Sequence, residues 1–229
     1  MRPEVSVPVN GLTDLRRRWM MALVVGELVG FVPPAITGAT LAGMAAPDVV
    51  FVAALTTAGL LEGLAIGVAE RSVLARYAPA VEGRAWVAAT VAAAGFAWFV
   101  GMGGVVLMGA GMEPAWQRRC CWSRHGRPLL SMGYGQWVVL RRAVPQSSRW
   151  VAVTAGAWLL GIMIPIAALS IIPNDWPPLA FFLVGVASAV AMGLTVGAVT
   201  GGTLERLLAT QPSPVRPLPV AGGSSGTRR

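Results

Sequence analysis

Long apolar runs separated by short polar connections make up the chain from residue 19 to residue 205. A run that crosses a membrane as a helix needs roughly 20 residues, because the hydrocarbon core is about 30 Å thick and each residue rises 1.5 Å. Suitable runs cover about 19–45, 49–70, 86–111, 150–173 and 177–204. The pattern therefore predicts an all-α, polytopic membrane helix bundle.

The apolar runs also repeat. Trp19, Trp86 and Trp150 each open a run directly after an arginine or one residue later, at spacings of 67 and 64 residues (86 − 19 and 150 − 86). The stretch ERSVLAR from Glu70 aligns with QWVVLRR from Gln136, and GLAIG at 63–67 matches GLTVG at 193–197. A constant period indicates internal repeats. We expect six transmembrane helices as three parallel helical-hairpin repeats, at about 19–76, 86–142 and 150–205.

The predicted fourth span, around 121–140, is the difficult one. Four arginines lie within 116–127, and the uncharged sequence that follows, 128–140, is too short to cross alone. A crossing is nevertheless required, because otherwise the loops at 71–84 and 141–149 would face opposite sides of the membrane. Three interpretations stay open: a helix that crosses while Arg124 snorkels outward, a re-entrant segment, or a reading-frame artefact.

Charge sets the expected orientation. Only 12% of the residues are charged, against roughly 25% in soluble domains, and the formal net charge of +8 comes from arginine without any lysine. The arginines flank the apolar runs, which is typical of the positive-inside rule and not of a nucleic-acid-binding face. These positions predict that both termini are cytoplasmic, and abundant alanine and arginine without lysine indicate a GC-rich bacterium and therefore its inner (plasma) membrane. We expect a polar arm at 1–18 and a disordered tail at 206–229.

Aromatic and polar residues at the ends of these runs are expected to anchor the bundle at the membrane surface, since amphipathic rings and arginines favour the headgroup region. The predicted interfacial anchors are Trp19, Trp86, Trp150, Gln136, Arg141 and Arg142.

Glycines recur every fourth residue on two predicted helices. This spacing places small residues on one stripe, so that neighbouring backbones can approach closely in lipid. The predicted helix-packing residues are Gly59, Gly63, Gly67, Gly193, Gly197 and Gly201. A homodimer face and a narrow conduit are the functional alternatives.

Two acids lie within the predicted spans. Glu27 follows Trp19 by eight residues and Glu62 precedes Glu70 by eight, so each lies about 12 Å into the membrane. A carboxylate at that depth should face the bundle and find a partner or stay protonated. The repeat alignment brings Arg127 to nearly the same level. A Glu27–Glu62–Arg127 cluster would be either a structural polar clamp or a proton or cation site.

Enzyme signatures are scarce. The sequence contains one histidine, two adjacent cysteines and no P-loop, H-E-x-x-H or C-x-x-C motif. We therefore expect neither catalysis nor a cofactor or metal. The predicted function is a non-catalytic scaffold or accessory subunit whose partners are the lipid bilayer and a second copy or another membrane protein. The alternative is a small transporter or channel with a site at Glu27 and Glu62.

The segment GYGQWVVLRRAVPQSSRW, residues 133–150, and its weaker copy at 67–86 carry a family resemblance. Over about residues 19–205 the chain resembles a group of small, uncharacterised bacterial multi-spanning membrane proteins, in which a glycine-rich helix ending in Q-W-x-V-L-R-R repeats before a helix opened by tryptophan. The resemblance implies a membrane bundle and no particular activity. The arginine-rich segment 116–127 departs from the apolar fourth span of that group.

Overall fold

The structure, a computed structural model, describes residues 9–44, 46–109, 129–173 and 176–210. Within these ranges the chain is all-α and contains no strand, which confirms the predicted class. The helices are α1 (Val9–Gly30), α2 (Val32–Gly43), α3 (Asp48–Tyr77), α4 (Gly83–Gly109), α5 (Leu129–Leu140), α6 (Arg149–Ser170) and α7 (Pro178–Ala209).

Five helical stretches are long and apolar enough to cross a membrane. They are Asp14–Leu41, Asp48–Tyr77, Gly83–Gly109, Arg149–Ser170 and Leu179–Ala209. Many large apolar side chains on their outer faces are exposed, including Leu160, Leu179 and Phe182. Exposed apolar surface on this scale is unusual for a soluble monomer. Length, composition and exposure together indicate a membrane protein.

The first stretch is two helices joined at Phe31. The Phe31 N–H donates to the Glu27 carbonyl at 2.8 Å, and the Phe31 carbonyl accepts from Ala35 at 3.0 Å. These two helical hydrogen bonds are kept at the junction, although the helix is interrupted there. Pro33 and Pro34 supply no N–H to the preceding turn, which explains the interruption. Pro165, by contrast, lies inside α6, which continues past it.

The helices form a ring. α1 packs against α3 and α7, α3 packs against α4, and α6 packs against α7. α5 fits between α4 and α6: a Cβ on Gly135 would lie 3.3 Å from the Ala89 carbonyl oxygen, and one on Gly133 would lie 2.7 Å from that of Val151. The described helices therefore surround a common axis.

One end of the ring, which we call the basic end, carries most of the described arginines. Arg16, Arg17 and Arg18 lie near the start of the α1 stretch, and the connections α3–α4 and α5–α6 bring further arginines to the same end. Tyr77 donates to Asp14 at 2.8 Å, and Arg142 lies 4.0 Å from Glu82. The first contact joins the end of α3 to the start of α1, and the second joins the α5–α6 connection to the α3–α4 connection.

Several predicted boundaries differ from the structure. Helix α1 begins at Val9, inside the predicted arm, and α7 ends at Ala209, inside the predicted tail. Helix α5 begins at the first residue described after position 109, so Arg124, and the three interpretations of 116–127, lie outside the described residues. Residues 211–229, including the rest of the predicted tail, also lie outside them.

Candidate functional site

Three tryptophans meet on the axis near the basic end. Trp19, Trp86 and Trp150 come from α1, α4 and α6, and all three side chains are completely buried. Their ring centroids lie 5.9–6.3 Å apart in edge-to-face pairs, the arrangement that aromatic quadrupoles favour. We call this group the tryptophan layer.

Each indole of the tryptophan layer donates a hydrogen bond to a neighbouring helix. Trp19 Nε1 donates to Thr200 Oγ1 at 2.9 Å, Trp86 Nε1 to Glu70 Oε2 at 2.8 Å, and Trp150 Nε1 to Gln136 Oε1 at 3.0 Å. A buried indole N–H requires such an acceptor. The three acceptors come from α7, α3 and α5.

Gln136 connects two of these contacts. Its Nε2 donates to Glu70 Oε2 at 2.9 Å and to Thr90 Oγ1 at 3.1 Å, while its Oε1 accepts from Trp150. Thr90 in turn donates to the Trp86 carbonyl at 3.0 Å. The result is a buried, connected network around the tryptophan layer.

Trp19, Trp86, Trp150 and Gln136, which the sequence pattern predicts as interfacial anchors, are buried inside the bundle. All four side chains face the axis, where their hydrogen-bond partners come from neighbouring helices. Arg141 and Arg142 are exposed at the basic end, where the Arg141 guanidinium lies 4.8 Å from the Trp137 ring centroid.

Farther from the basic end the helices line a partly open cavity of about 310 Å³, which we call the central cavity. Its lining comes from all around the ring: Phe31, Glu62, Ile66, Ala94, Ala97, Trp98, Gly101, Met102, Leu129, Met132, Trp158, Ile162, Pro165 and Met192. Glu62 is the one ionisable side chain among these lining residues. The described wall of the cavity is therefore apolar apart from a single acid.

The Glu62 carboxyl is held by one aromatic partner. Its Oε2 accepts a hydrogen bond from Trp98 Nε1 on α4. Helix α1 passes close by, since a Cβ on Gly30 would lie 3.1 Å from the Glu62 Cα, Cγ and carbonyl oxygen. No basic side chain forms an ion pair with Glu62 in the described part of the chain.

Glu27 is more isolated than Glu62. Its side chain is completely buried, and neither carboxylate oxygen has a hydrogen-bond partner among the described residues. An unpaired buried charge costs several kcal/mol, so this position needs either the neutral acid or an added cation.

The predicted three-residue cluster is described only in part. Glu27 and Glu62 both lie inside the bundle, at the contact between α1 and α3, but no hydrogen bond joins them. Arg127 lies outside the described residues. In the ranges that the structure covers, no group of three or more His, Cys, Asp or Glu could hold a metal ion.

The glycines singled out in the sequence lie at helix contacts. Gly59, Gly63 and Gly67 on α3 face Trp98, Ala94 and Val87 of α4. On α7, Gly193, Gly197 and Gly201 face Val24, Met20 and Trp19 of α1. A Cβ on Gly197 would lie 2.7 Å from the Met20 Cα, closer than ordinary packing allows. These contacts set the helix spacing around the axis.

Two important partners were missed in the sequence. Thr200 was detectable, because it follows Gln136 by 64 residues, the same spacing that separates Trp86 from Trp150. Trp98 carries no such signal, since its relation to Glu62 depends on how α4 is rotated against α3. Helices that are apolar on every face give no periodicity from which to predict that rotation.

No family model, curated protein or solved structure matches the chain.

Proposed function

We propose that the bundle consists of three parallel helical-hairpin repeats that cross a bacterial plasma membrane six times, with the basic end and both termini in the cytoplasm. Residues at equivalent positions of the three proposed repeats make the same kind of hydrogen bond, which supports the repeat arrangement. Residues at the repeat spacings, Glu70, Gln136 and Thr200, each accept a hydrogen bond from one member of the tryptophan layer. The arginines at the basic end support the orientation.

The glycine contacts support the same architecture. Gly67, Gly133 and Gly197 are equivalent at spacings of 66 and 64 residues. Each packs against the residue that directly follows a tryptophan of the layer: Val87, Val151 and Met20. One contact geometry would thus recur wherever the second helix of a repeat meets the first helix of the next.

The proposed biochemical function is that of a small membrane transporter whose substrate enters the central cavity. The observation that supports this proposal most directly is the apolar cavity on the axis of the ring, whose described wall contains one acid, Glu62. Ligand cavities are typically concave and mostly apolar, with a few polar groups that fix orientation. The tryptophan layer closes the axis between this chamber and the basic end.

The asymmetry of the acids favours a binding role over a structural clamp. In the proposed repeat, Glu27 is equivalent to Ala94 and Trp158, and Glu62 is equivalent to Pro128 and Met192. The layer around the tryptophans, in contrast, keeps a polar acceptor at all three equivalent positions. A clamp needed for folding should recur as that layer does, whereas a substrate site needs its charge only once.

Flux measurements test the proposal. The purified protein would be reconstituted into liposomes containing a pH-sensitive dye, and proton and monovalent cation fluxes would be followed after an imposed membrane potential. We expect flux above that of empty liposomes, and loss of that flux in Glu27→Gln and Glu62→Gln. Glu82→Gln is the matched control, because Glu82 is an exposed acid at the basic end. Wild-type protein that conducts neither protons nor inorganic or organic monovalent cations contradicts a transporter.

A non-catalytic scaffold or accessory subunit is the second candidate. The observation that favours it is the closure of the axis by three fully buried indoles, with no ionisable side chain other than Glu62 among the residues of the cavity wall. Purification in a gentle detergent, followed by identification of co-purifying proteins, tests this role. A stoichiometric membrane partner together with an absence of flux would establish the scaffold and exclude the transporter.

A further inference from the structure

We propose that the central cavity binds an organic monocation with an apolar body, and that the Glu62 carboxylate is its counterion. This inference rests on the cavity of the proposed transporter and names its substrate class. It combines three features of the described wall: a single acid, aromatic and thioether side chains around it, and a limited volume.

Charge comes first. Glu62 is buried and has Trp98 as its hydrogen-bond partner, without a basic residue beside it in the described ranges. A ligand that brings a positive charge would form an ion pair with Glu62 that no described side chain forms. A neutral ligand would leave the acid without any such partner, and an anion would be repelled by it.

The remaining wall suits an organic cation. Trp98, Trp158 and Phe31 present aromatic rings, and Met102, Met132 and Met192 present thioethers. Ring faces attract organic ammonium groups, and methionine adapts to irregular apolar shapes. The methylene or ring portion of a ligand would thus find apolar contacts at the same time as its charge meets Glu62.

An inorganic ion fits poorly. Hard metal cations require about six or more oxygen ligands, and the lining side chains provide only the carboxylate of Glu62. A volume of about 310 Å³ lies at the small end of the range for ligand cavities. It suits a single ring or a short branched chain that carries one ammonium group.

The test is a binding titration of the full-length protein in detergent. The probes are benzyltrimethylammonium, the neutral benzyl alcohol and potassium chloride, with heat and tryptophan fluorescence as the signals. We expect saturable binding of the benzyltrimethylammonium cation alone. Glu62→Gln should weaken it about 10- to 100-fold, the loss expected when a hydrogen-bonded charge becomes neutral. Glu82→Gln should leave binding unchanged.

A second variant keeps the test decisive if Glu62→Gln does not fold. Gly101 lines the cavity, and no described atom lies within 4 Å of a Cβ built on it. Gly101→Leu should therefore fill the chamber and abolish binding without disturbing the tryptophan layer. Equal affinity for the alcohol and the cation, or unchanged cation binding in Gly101→Leu, would overturn the inference.

The outcome separates this inference from the proposed function. Cation binding without flux would support the inference and contradict transport. Proton flux that requires Glu62, combined with the absence of cation binding by the wild-type protein, would overturn the inference and leave a proton pathway.

Discussion

The tryptophan layer and the central cavity lie on one axis and use the same helices, yet they treat polar groups differently. Around the tryptophans each indole N–H has an acceptor, and Gln136 satisfies three partners at once. At the cavity, Glu62 has one partner and nearby Glu27 has none among the described residues. Ser147 and Thr154, near the tryptophans, also have buried hydroxyls without a described partner. The two regions therefore differ in their buried acids: Glu70 accepts hydrogen bonds from Trp86 and Gln136, whereas neither carboxylate oxygen of Glu27 has a described partner.

The packing of α7 differs along its length. Glycines near the tryptophan layer bring backbones into contact, as at Gly197. Farther along the same helix, a Cβ placed on Gly185 would meet no described atom within 4 Å. Among the described residues, α7 is therefore closely packed at Gly197 and open at Gly185.

The largest difference in the free energy of unfolding is expected between alanine substitutions of one tryptophan in the tryptophan layer and one at the central cavity. Trp86→Ala removes a completely buried indole and leaves Glu70 without one of its donors, so we expect a loss of about 3–5 kcal/mol in the free energy of unfolding. Trp98→Ala should cost less, because Trp98 is only partly buried and already faces the cavity. Equilibrium unfolding in mixed detergent micelles measures both. Equal losses would remove the distinction between the two regions.

Replacing a buried acid should have opposite effects in the two regions. Glu70→Leu leaves the Trp86 N–H and one Gln136 N–H without an acceptor, and should lower the free energy of unfolding by about 1–3 kcal/mol. Glu27→Leu removes an acid that has no described partner, and should raise it by up to about 1–3 kcal/mol. The same unfolding assay compares the variants. A destabilised Glu27→Leu protein would show that Glu27 has a structural partner.

Adding one methyl group tests the packing of a single helix at two points. Gly197→Ala places a Cβ 2.7 Å from the Met20 backbone, and we expect it to cost about 1–3 kcal/mol through overpacking. Gly185→Ala is the control on the same helix, and its effect should stay within about 0.5 kcal/mol. Thermal unfolding monitored by circular dichroism gives the ranking. Equal tolerance of both changes would mean that α1 and α7 are not in close contact.

The two regions also differ in how well sequence predicts them. Uncharged runs predict the long helices because membrane thickness fixes their length, and counting residues from the helix ends places Glu27 and Glu62 inside the bundle. The burial of Trp19 could not be predicted in this way. An Arg-Trp pair at a helix start is equally compatible with a ring facing the headgroups and with one facing the axis. Only the rotation of the helix decides between them, and that rotation is set by packing against the neighbouring helices.

The smallest expected effect concerns two threonines that each follow a tryptophan of the layer by four residues. Thr90 Oγ1 accepts from Gln136 and donates to the Trp86 carbonyl, whereas Thr154 Oγ1 is buried without a partner in the described structure. Valine has nearly the same shape as threonine and lacks the hydroxyl. Thr90→Val should therefore cost about 1 kcal/mol.

Thr154→Val should be neutral or slightly stabilising, because it removes a hydroxyl whose desolvation is uncompensated. The unfolding midpoints of the two variants, measured side by side with the wild-type protein, provide the comparison. If Thr154→Val costs as much as Thr90→Val, Thr154 has a partner such as an ordered water molecule. Fewer buried polar groups near the tryptophan layer would then lack a partner, and their contrast with Glu27 would become sharper.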